Sequence, residues 1–428
     1  MRRRTLLLST GAAAAAAAVA ATGTRAAWAA APRPVLFVHG AAGSAAQFET
    51  QAKRFAGNGY PAEWIDGVDY DSTFAGASSS EVLDAVERAI DRLRALAGVT
   101  QVDLVAHSLG TFLSQSFLRT RSRAAKVAHY VNLDGSTALS RPGGVSTLAI
   151  WGEGSTARRI LGATNVYQSD QSHTQTVTST QSFTQMFRFL TGSAPATTSV
   201  VPAAGTIQLS GRVSLFPSNA PASGMRVDVH EVSPATGSRT ALLTSFTVGA
   251  DGAFGPIAAS PTARYEFAID QGSGQVQHQY FAPFQRTDRL VRLLTNRPGE
   301  GLGARVPVGP NHSALSITRY KEWWGDQGAT GDALSVNGTQ ILNAVTAPRD
   351  KRVIGLFVHD QGVDGRTDLT RAIPDFDETF ISAADVYIPS GGTVTVSVTS
   401  RAAGGTHLFT VPAWPSAAGR ITLNVPDL

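Results

Sequence analysis

The sequence lacks cysteine altogether, so disulfide bonds and zinc sites with thiolate ligands are excluded. Charge is also scarce, since charged residues make up 16% of the 428 residues while hydrophobic residues make up 43%. Beyond residue 30 no stretch is long and apolar enough to span a bilayer. A chain of this length and composition predicts two or three domains with their own cores, rich in turns and buried strands.

The first residues predict an export signal rather than a folded element. Arg2, Arg3 and Arg4 precede a weakly apolar, alanine-rich run, as in twin-arginine signals. Ala27-Trp28-Ala29 fits the small-x-small pattern of a cleavage site. We therefore expect residues 1–29 to be a signal peptide and the mature protein to be secreted or periplasmic.

The net charge argues against a nucleic-acid partner. The whole chain has 36 basic and 32 acidic residues, but residues 1–29 hold four arginines and no acid. Without them 32 basic residues face 32 acidic ones, so no overall basic field remains. The oligomeric state stays open.

The most informative stretch runs from Val102 to Phe117. A short apolar run is followed by a tight turn around Ser108 and then by an amphipathic helical pattern. Strand, sharp turn and helix form the setting of a nucleophile elbow, which needs tiny residues two positions before and after the serine. Ala106 and Gly110 meet that need. Strands and helices alternate around this stretch, which predicts an α/β hydrolase with a mostly parallel sheet and helices on both faces.

The oxyanion hole is expected in two backbone segments. Residues 34–38 form an apolar strand that ends in the glycine-rich turn His39-Gly40-Ala41-Ala42-Gly43. Hydrolases of this kind place half of the hole after such an early strand. We therefore assign the backbone N–H groups of Ala41 and Leu109 as its donors.

A serine nucleophile needs a histidine base, and the base needs an acid to orient it. His173 is the one histidine of this half that follows the last predicted strand in a polar loop, whereas His39, His107 and His129 are predicted to be structural. For the acid, Asp134 at the end of a strand is favoured over Glu153. Asp170 is a third alternative.

The second half of the chain changes from helical to strand periodicity. Small residues from 191 to 201 predict a linker between a catalytic domain at 30–192 and an all-β region of sandwich or barrel type. We divide that region into a prealbumin-like β-sandwich at 193–277 and a further β domain at 278–428. Tyr320, Trp323 and Trp324 form an aromatic cluster, which packs inside the protein or contacts lipid or polymer. No metal site is expected, because the aspartates at 360–368 lack calcium-loop spacing, and no cofactor is expected.

At several motifs the sequence resembles the secreted two-domain lipases of archaea and actinobacteria. The motifs are VLFVHGAAGSAAQFETQAKRFAGNGYPAEW, VAHSLGTF, KVAHYVNLDG, ATNVYQSDQSHTQ, RYKEWWG and DVYIP. The resemblance implies Ser108, Asp134 and His173 as a catalytic triad and long-chain acyl esters as substrates. The archaeal relative carries a long lid insertion, but here only residues 71–79 remain, so interfacial activation and strict long-chain preference are not implied.

The sequence as a whole predicts an exported serine ester hydrolase. A triacylglycerol lipase is favoured, with a short-chain carboxylesterase or an extracellular polyester depolymerase as alternatives. A noncatalytic lipid- or polymer-binding protein with a hydrolase fold is the alternative of another class. An ester lipid or polyester is the expected partner, and Phe74 and Phe112 are expected to contact it.

Overall fold

The computed structural model describes residues 32–272, 274–401 and 405–427. The first part of the chain alternates strands and helices. Its elements are β1 (Val35–Val38), α1 (Glu49–Gly57), β2 (Ile65–Val68), α2 (Ser79–Ala97), β3 (Val102–His107), α3 (Leu109–Leu118), α4 (Arg121–Ala124), β4 (Val127–Leu133), β5 (Ser146–Trp151), β6 (Thr164–Tyr167), α5 (Gln175–Thr178) and α6 (Thr180–Thr191).

The six strands of this part form one parallel sheet in the order β2-β1-β3-β4-β5-β6. Successive side chains of a strand point to opposite faces. Leu36 and Val38 of β1 accordingly pack on the side of α2 and α3, while Val35 and Phe37 pack on the side of α1 and α6. The predicted α/β-hydrolase fold is thus confirmed, with helices on both faces.

The parallel arrangement determines where functional side chains can meet. The carboxyl ends of parallel strands lie at one edge of the sheet, where open α/β folds bind ligands. Ser108 directly follows β3, Asp134 directly follows β4, and His173 lies in the segment after β6. Three segments far apart in sequence therefore converge at one edge.

The rest of the chain is rich in β-strands. These strands are β7 (Ile207–Leu215), β8 (Ala220–Pro221), β9 (Arg226–Val232), β10 (Arg239–Thr247), β11 (Ala253–Ala259), β12 (Arg264–Gly272), β13 (Gln275–Phe281), β14 (Asp288–Thr295), β15 (Leu315–Thr318), β16 (Ala333–Val336), β17 (Thr339–Gln340), β18 (Gly355–His359), β19 (Ile381–Asp385), β20 (Thr393–Thr399), β21 (Thr406–Pro412) and β22 (Gly419–Asn424).

One eight-stranded sheet joins the whole β-rich region, in the order β10-β9-β12-β13-β22-β15-β18-β19. Most of its pairs are antiparallel, but β22 runs parallel to both neighbours. Two smaller sheets, β11-β7-β14 with β8 and β17-β16-β20-β21, complete the region. The boundary expected at 277/278 falls inside β13, so strands from both expected domains share one sheet. The division into these domains stays a prediction.

The β-rich region packs directly on the catalytic part. Leu290 of β14 belongs to the same buried cluster as Phe37 and Phe55. Arg292, also from β14, donates to Asp69 with an Nε to Oδ2 distance of 2.7 Å. Apolar burial and a buried ion pair therefore link the two halves.

The expected signal peptide at 1–29 lies outside the described residues, so export stays a prediction. Within the described ranges, no helix has the length and hydropathy needed to cross a membrane.

Gly110 allows α3 to approach β1 closely, and its substitution tests this constraint. A Cβ at position 110 would lie 2.4 Å from the carbonyl oxygen of His39 and 2.5 Å from that of Val38. Both oxygens belong to backbone that cannot move aside without shifting the strand. We expect Gly110→Ala to lower the free energy of unfolding by about 1–3 kcal/mol, measured by urea denaturation.

Gly57→Ala is the matched control, because a Cβ there has no atom within 4 Å. Equal stability of the two variants would contradict the proposed close contact.

Candidate active site

Ser108 has the backbone conformation of a nucleophile elbow. Its φ of 49° and ψ of −121° lie in a region that non-glycine residues rarely adopt, and α3 begins at the next residue. The backbone N–H of Ser108 donates to Leu133 O of β4, and its carbonyl accepts from Thr111 N. The strained turn is therefore held on both sides and projects Ser108 from the tip of β3.

The two predicted oxyanion donors lie on either side of this elbow. Within the described residues, the N–H groups of Ala41 and Leu109 have no hydrogen-bond acceptor, so both are free to bind a ligand oxygen. The loop around Ala41 is fixed, because Ala42 N donates to Ser72 Oγ at 2.8 Å. Asn219 of the β-rich region donates to Gly43 O at 2.8 Å. The free N–H of Ala41 is thus held in a preorganised position.

Asp134 and His173 form a hydrogen-bonded pair. The Oδ2 of Asp134 lies 2.6 Å from Nδ1 of His173, and both side chains are nearly buried. Because the carboxylate accepts, Nδ1 carries the hydrogen and Nε2 is left as the basic nitrogen. Among the described hydrogen bonds none joins Ser108 Oγ to His173, and such contacts often tighten only once substrate binds.

Asp134 is strongly held as a carboxylate. Its Oδ1 accepts from Gly152 N at 2.9 Å and from Nη1 of Arg158 at 2.8 Å. Burial alone would raise the pKa of Asp134, but the bonds from His173 and Gly152 and the charge of Arg158 together lower that pKa to about 2. The guanidinium of Arg158 also lies over the Trp151 ring, 4.7 Å from its centroid.

The alternative acids lie elsewhere. Glu153 pairs with Arg349 of the β-rich region, with an Oε2 to Nε distance of 3.0 Å. Asp170 is exposed. Of the three carboxylates considered, the structure therefore brings Asp134 to His173.

A neutral hydrogen-bond chain connects the oxyanion loop to His173. Gly40 N donates to Oε1 of Gln47, whose Nε2 donates to Nδ1 of His107 at 3.0 Å. The other ring nitrogen of His107 donates to His173 O at 3.1 Å. Burial, followed by the nearby His173, lowers the pKa of His107 well below its usual value, which matches a neutral imidazole. The predicted structural role of His107 thus includes support of the neighbouring loop.

Glu322 of the β-rich region holds the His173 loop from behind. Its carboxylate is 0% exposed and accepts from Thr174 N at 2.7 Å and from Gln175 N at 3.3 Å. It also accepts from the hydroxyl of Ser172. The guanidinium of Arg401 donates to Ser172 Oγ at 2.9 Å from the same side. The residues on both sides of His173 are therefore fixed by groups more than 140 positions away in sequence.

The expected substrate contacts differ in their exposure. Phe112 is 52% exposed at the surface of α3. Phe74 is partly buried and packs against the buried cluster under α2 and α3, with its ring 6.3 Å from that of Tyr70. The short segment around Phe74 is organised by Asp71, whose carboxylate accepts from Thr73 N and Gly76 N. A contact of either phenylalanine with substrate stays a prediction.

The predicted aromatic cluster lies inside the protein. Trp323 is 0% and Trp324 is 8% exposed. Arg401 lies over the Trp324 ring at 3.8 Å from its centroid, so the cluster supports the arginine that reaches the His173 loop. Across the described residues, no group of three or more His, Asp or Glu side chains is arranged to hold a metal ion.

Family models match three consecutive parts of the chain. A model described as the alpha/beta hydrolase fold matches residues 33–155, and one described as a lipase C-terminal domain matches residues 205–298. A further C-terminal domain model matches residues 301–428. The chain thus has an α/β-hydrolase domain followed by a region that is similar to lipase C-terminal domains.

Solved structures resemble this hydrolase only weakly. One is Aspergillus fumigatus lipase B, which is 15% identical to this chain with a TM-score of 0.30. The match covers 39% of this chain and 54% of the lipase, so this chain spans about half of that lipase. Bacillus licheniformis lipase BlEst2 in its propeptide form is 12% identical with a TM-score of 0.32, covering 89% and 92%. No curated protein matches the chain.

Sequence reasoning missed Arg158, Glu322 and the link through Gln47. The sequence around Glu322 did indicate a special role, because a carboxylate flanked by Tyr320, Trp323 and Trp324 is expected to be buried and paired. Nothing in the sequence around Arg158 or Gln47 indicated a role, because their partners Asp134 and His107 are distant in sequence.

The role of Arg158 can be tested by the pH dependence of activity. Removing its positive charge from beside the Asp134–His173 pair makes protonation of the pair easier. We therefore expect Arg158→Met to move the acid limb of kcat/KM to higher pH, measured on a soluble ester. Arg159→Met is the matched control, since its side chain is exposed. A pH profile that is identical in both variants would argue against a role of Arg158 in setting the charge of the pair.

The role of Glu322 can be tested by separating kcat from KM. Without its carboxylate, three donors of the loop that carries His173 lose their acceptor, and small misplacements of a catalytic group are costly. We expect Glu322→Ala to lower kcat by about 10²-fold with a much smaller change in KM. Glu322→Gln keeps one acceptor oxygen and should recover part of kcat.

Glu300→Ala, at an exposed glutamate of the same region, should leave both constants unchanged. Thermal melting of each variant identifies the folded fraction. A Glu322→Ala variant with normal kcat per folded molecule would limit Glu322 to a structural role.

Proposed function

We propose that this protein is a serine ester hydrolase, most specifically an exported triacylglycerol lipase. Ser108 Oγ attacks the ester carbonyl carbon while His173 Nε2 takes the hydroxyl proton. Asp134 holds the imidazole in the correct tautomer and stabilises its positive charge. The N–H groups of Ala41 and Leu109 bind the negatively charged oxygen that forms.

The reaction then proceeds through an acyl-enzyme. His173 returns the proton to the leaving alcohol, which departs as the acyl group becomes bonded to Ser108. Water attacks this ester, again with His173 as base, and the carboxylic acid leaves as Ser108 is restored.

The observation that carries the proposal is the Asp134–His173 pair, 2.6 Å apart, at the same sheet edge as the strained turn of Ser108. A strained serine costs stability, and it is retained where the chemistry requires it. Among the described residues, the N–H of Leu109 next to this serine and that of Ala41, beside Gly40 where a Cβ would lie 3.0 Å from Ser108 Cβ, have no acceptor. Nucleophile, base, orienting acid and oxyanion donors are the complete set that acyl transfer requires.

An apolar cavity next to this site supports a fatty acyl group as the substrate. The cavity is open to solvent and extends from Ala42 and Gly43 of the oxyanion loop into the β-rich region. Phe216, Leu302 and Phe357 line it. Phe380, which also lines it, stacks against His173 with a centroid distance of 6.4 Å. A hydrocarbon chain in this cavity would be removed from water beside the reacting carbonyl.

Single substitutions test the proposed roles. Ser108→Ala and His173→Ala should each lower kcat by at least about 10³-fold, because members of a triad act as a unit. Asp134→Asn should lower kcat by a smaller factor, since the histidine is still held but in the wrong tautomer. Glu153→Gln is the control and should retain activity. The assays are hydrolysis of emulsified triolein and of p-nitrophenyl esters of increasing chain length.

A fluorophosphonate probe provides an independent measurement of the nucleophile. It should label the wild type and fail to label Ser108→Ala. A wild type that the probe does not label would favour a noncatalytic binding protein. Activity on p-nitrophenyl butyrate but not on triolein would favour a carboxylesterase, and release of acid from a polyester film alone would favour a depolymerase.

A further inference from the structure

The cavity beside the oxyanion loop has one polar wall as well as its apolar ones. This wall comes from β22, in which Ile421 and Leu423 belong to the hydrophobic core of the β-rich region. Because successive residues of a strand alternate in direction, Arg420, Thr422 and Asn424 point the other way, and all three line the cavity. The cavity therefore combines hydrocarbon surface with hydrogen-bonding groups.

Arg420 has no acidic partner among the described residues, and its guanidinium faces only the Phe357 ring, 5.7 Å from the ring centroid. Within the described residues, its guanidinium makes no hydrogen bond and no ion pair, and its Nε has no contact with solvent. Arg420 is partly buried, and the four arginines that are more deeply buried among the described residues all have hydrogen-bond acceptors, which are Thr178 O for Arg54, Asp69 for Arg292, and Asp332 for both Arg319 and Arg401. Burial lowers the pKa of Arg420 to about 10, and no nearby carboxylate offsets this effect.

Two further polar atoms on the same wall lack partners. Asn424 Nδ2 is a buried donor without an acceptor, and Gln277 Oε1 is a buried acceptor without a donor. Gln277 lies opposite Arg420 in the parallel register of β13 and β22. A second cavity of about 700 Å³, lined by Gln271, Gln275 and Ser416, shares Arg420 as a wall residue. Unpaired buried groups of this kind destabilise a fold unless a ligand pairs with them.

The chemistry of these groups indicates an anionic ligand with an apolar part. A guanidinium presents parallel N–H donors that match the two oxygens of a carboxylate. Asn424 offers a further donor, while Phe216, Leu302 and Phe357 offer hydrocarbon contact.

We propose that Arg420 binds the carboxylate of an amphiphile whose hydrocarbon chain lies in this cavity. The carboxylate has two sources, a free fatty acid or the far end of a substrate that is a half-ester of a dicarboxylic acid. The second source rests on the proposed ester hydrolase function, whereas the first requires no catalysis.

Thermal melting with octanoate tests the binding site without using activity. A partly buried charge without an acidic partner destabilises a protein, so we expect Arg420→Met, which keeps apolar contact with Phe357, to melt at a higher temperature than the wild type when no ligand is added. Octanoate at saturating concentration should raise the wild-type Tm by about 2–4 °C or more. Octan-1-ol, which lacks the carboxylate, should raise it less. The exposed Arg289→Met is the matched control and should respond to octanoate as the wild type does.

Binding of octanoate by calorimetry measures the same contact directly. Loss of a charge-assisted hydrogen bond should weaken the affinity of Arg420→Met at least about tenfold. An Arg420→Met variant that melts lower than the wild type and binds octanoate equally well would overturn the proposal. If Arg420→Met fails to fold, Arg420→Lys replaces it, because lysine keeps the charge without the paired donors. Arg420→Lys should bind octanoate with intermediate affinity, and wild-type affinity in Arg420→Lys would also overturn the proposal.

A kinetic comparison separates the two sources of the carboxylate. Mono-p-nitrophenyl suberate and p-nitrophenyl octanoate have acyl chains of equal length that end in a carboxylate and a methyl group. A fall in the ratio of their kcat/KM values in Arg420→Met assigns the site to half-ester substrates. An unchanged ratio together with lost octanoate binding assigns it to free fatty acid.

Discussion

The hydrogen bond between Asp134 and His173 is the contact on which the rest of the site depends. Each of its ends is fixed by a different part of the protein. Gly152 and Arg158 hold the carboxylate from within the catalytic part. The loop of His173 is held by His107 on one side and by Glu322 and Arg401 of the β-rich region on the other. A histidine on a loop gains the rigidity of a sheet residue because buried polar groups surround it.

The β-rich region therefore has a direct part in the site. It supplies Glu322 behind His173 and Asn219 beside the oxyanion loop, as well as most of the wall of the neighbouring cavity. Burying charges such as Glu322, Arg401 and Asp332 is costly unless every lone pair and N–H is paired. Here backbone amides, the Arg401–Asp332 ion pair and the Trp324 ring provide most of that pairing, and among the described residues Nε of Arg401 is left without an acceptor.

Charge around the site is arranged in two opposite ways. Near Asp134 every neighbour favours the ionised carboxylate, and its pKa falls to about 2 despite burial. Near Arg420 no carboxylate of the described residues balances the cation, which has only the Phe357 ring beside it in the cavity wall. The first arrangement needs no ligand to be complete, whereas the second is completed by a negatively charged group.

The sequence by itself determined the catalytic fold and the elbow at Ser108, because strand periodicity and small residues at tight turns are local constraints, and it favoured Asp134 and His173 as the partners of Ser108. It left Glu153 open as an acid, and the structure pairs that residue with Arg349 instead. The aromatic neighbours of Glu322 indicate that it is buried but not which groups pair with its carboxylate. The sequence could not predict the roles of Arg158 and Arg420, because these roles depend on contacts, or on missing contacts, between segments distant in the chain. Nor did it predict the eight-stranded sheet through the boundary at 277/278, because the pairing of β13 with β22 spans about 140 residues and only the folded sheet brings them together.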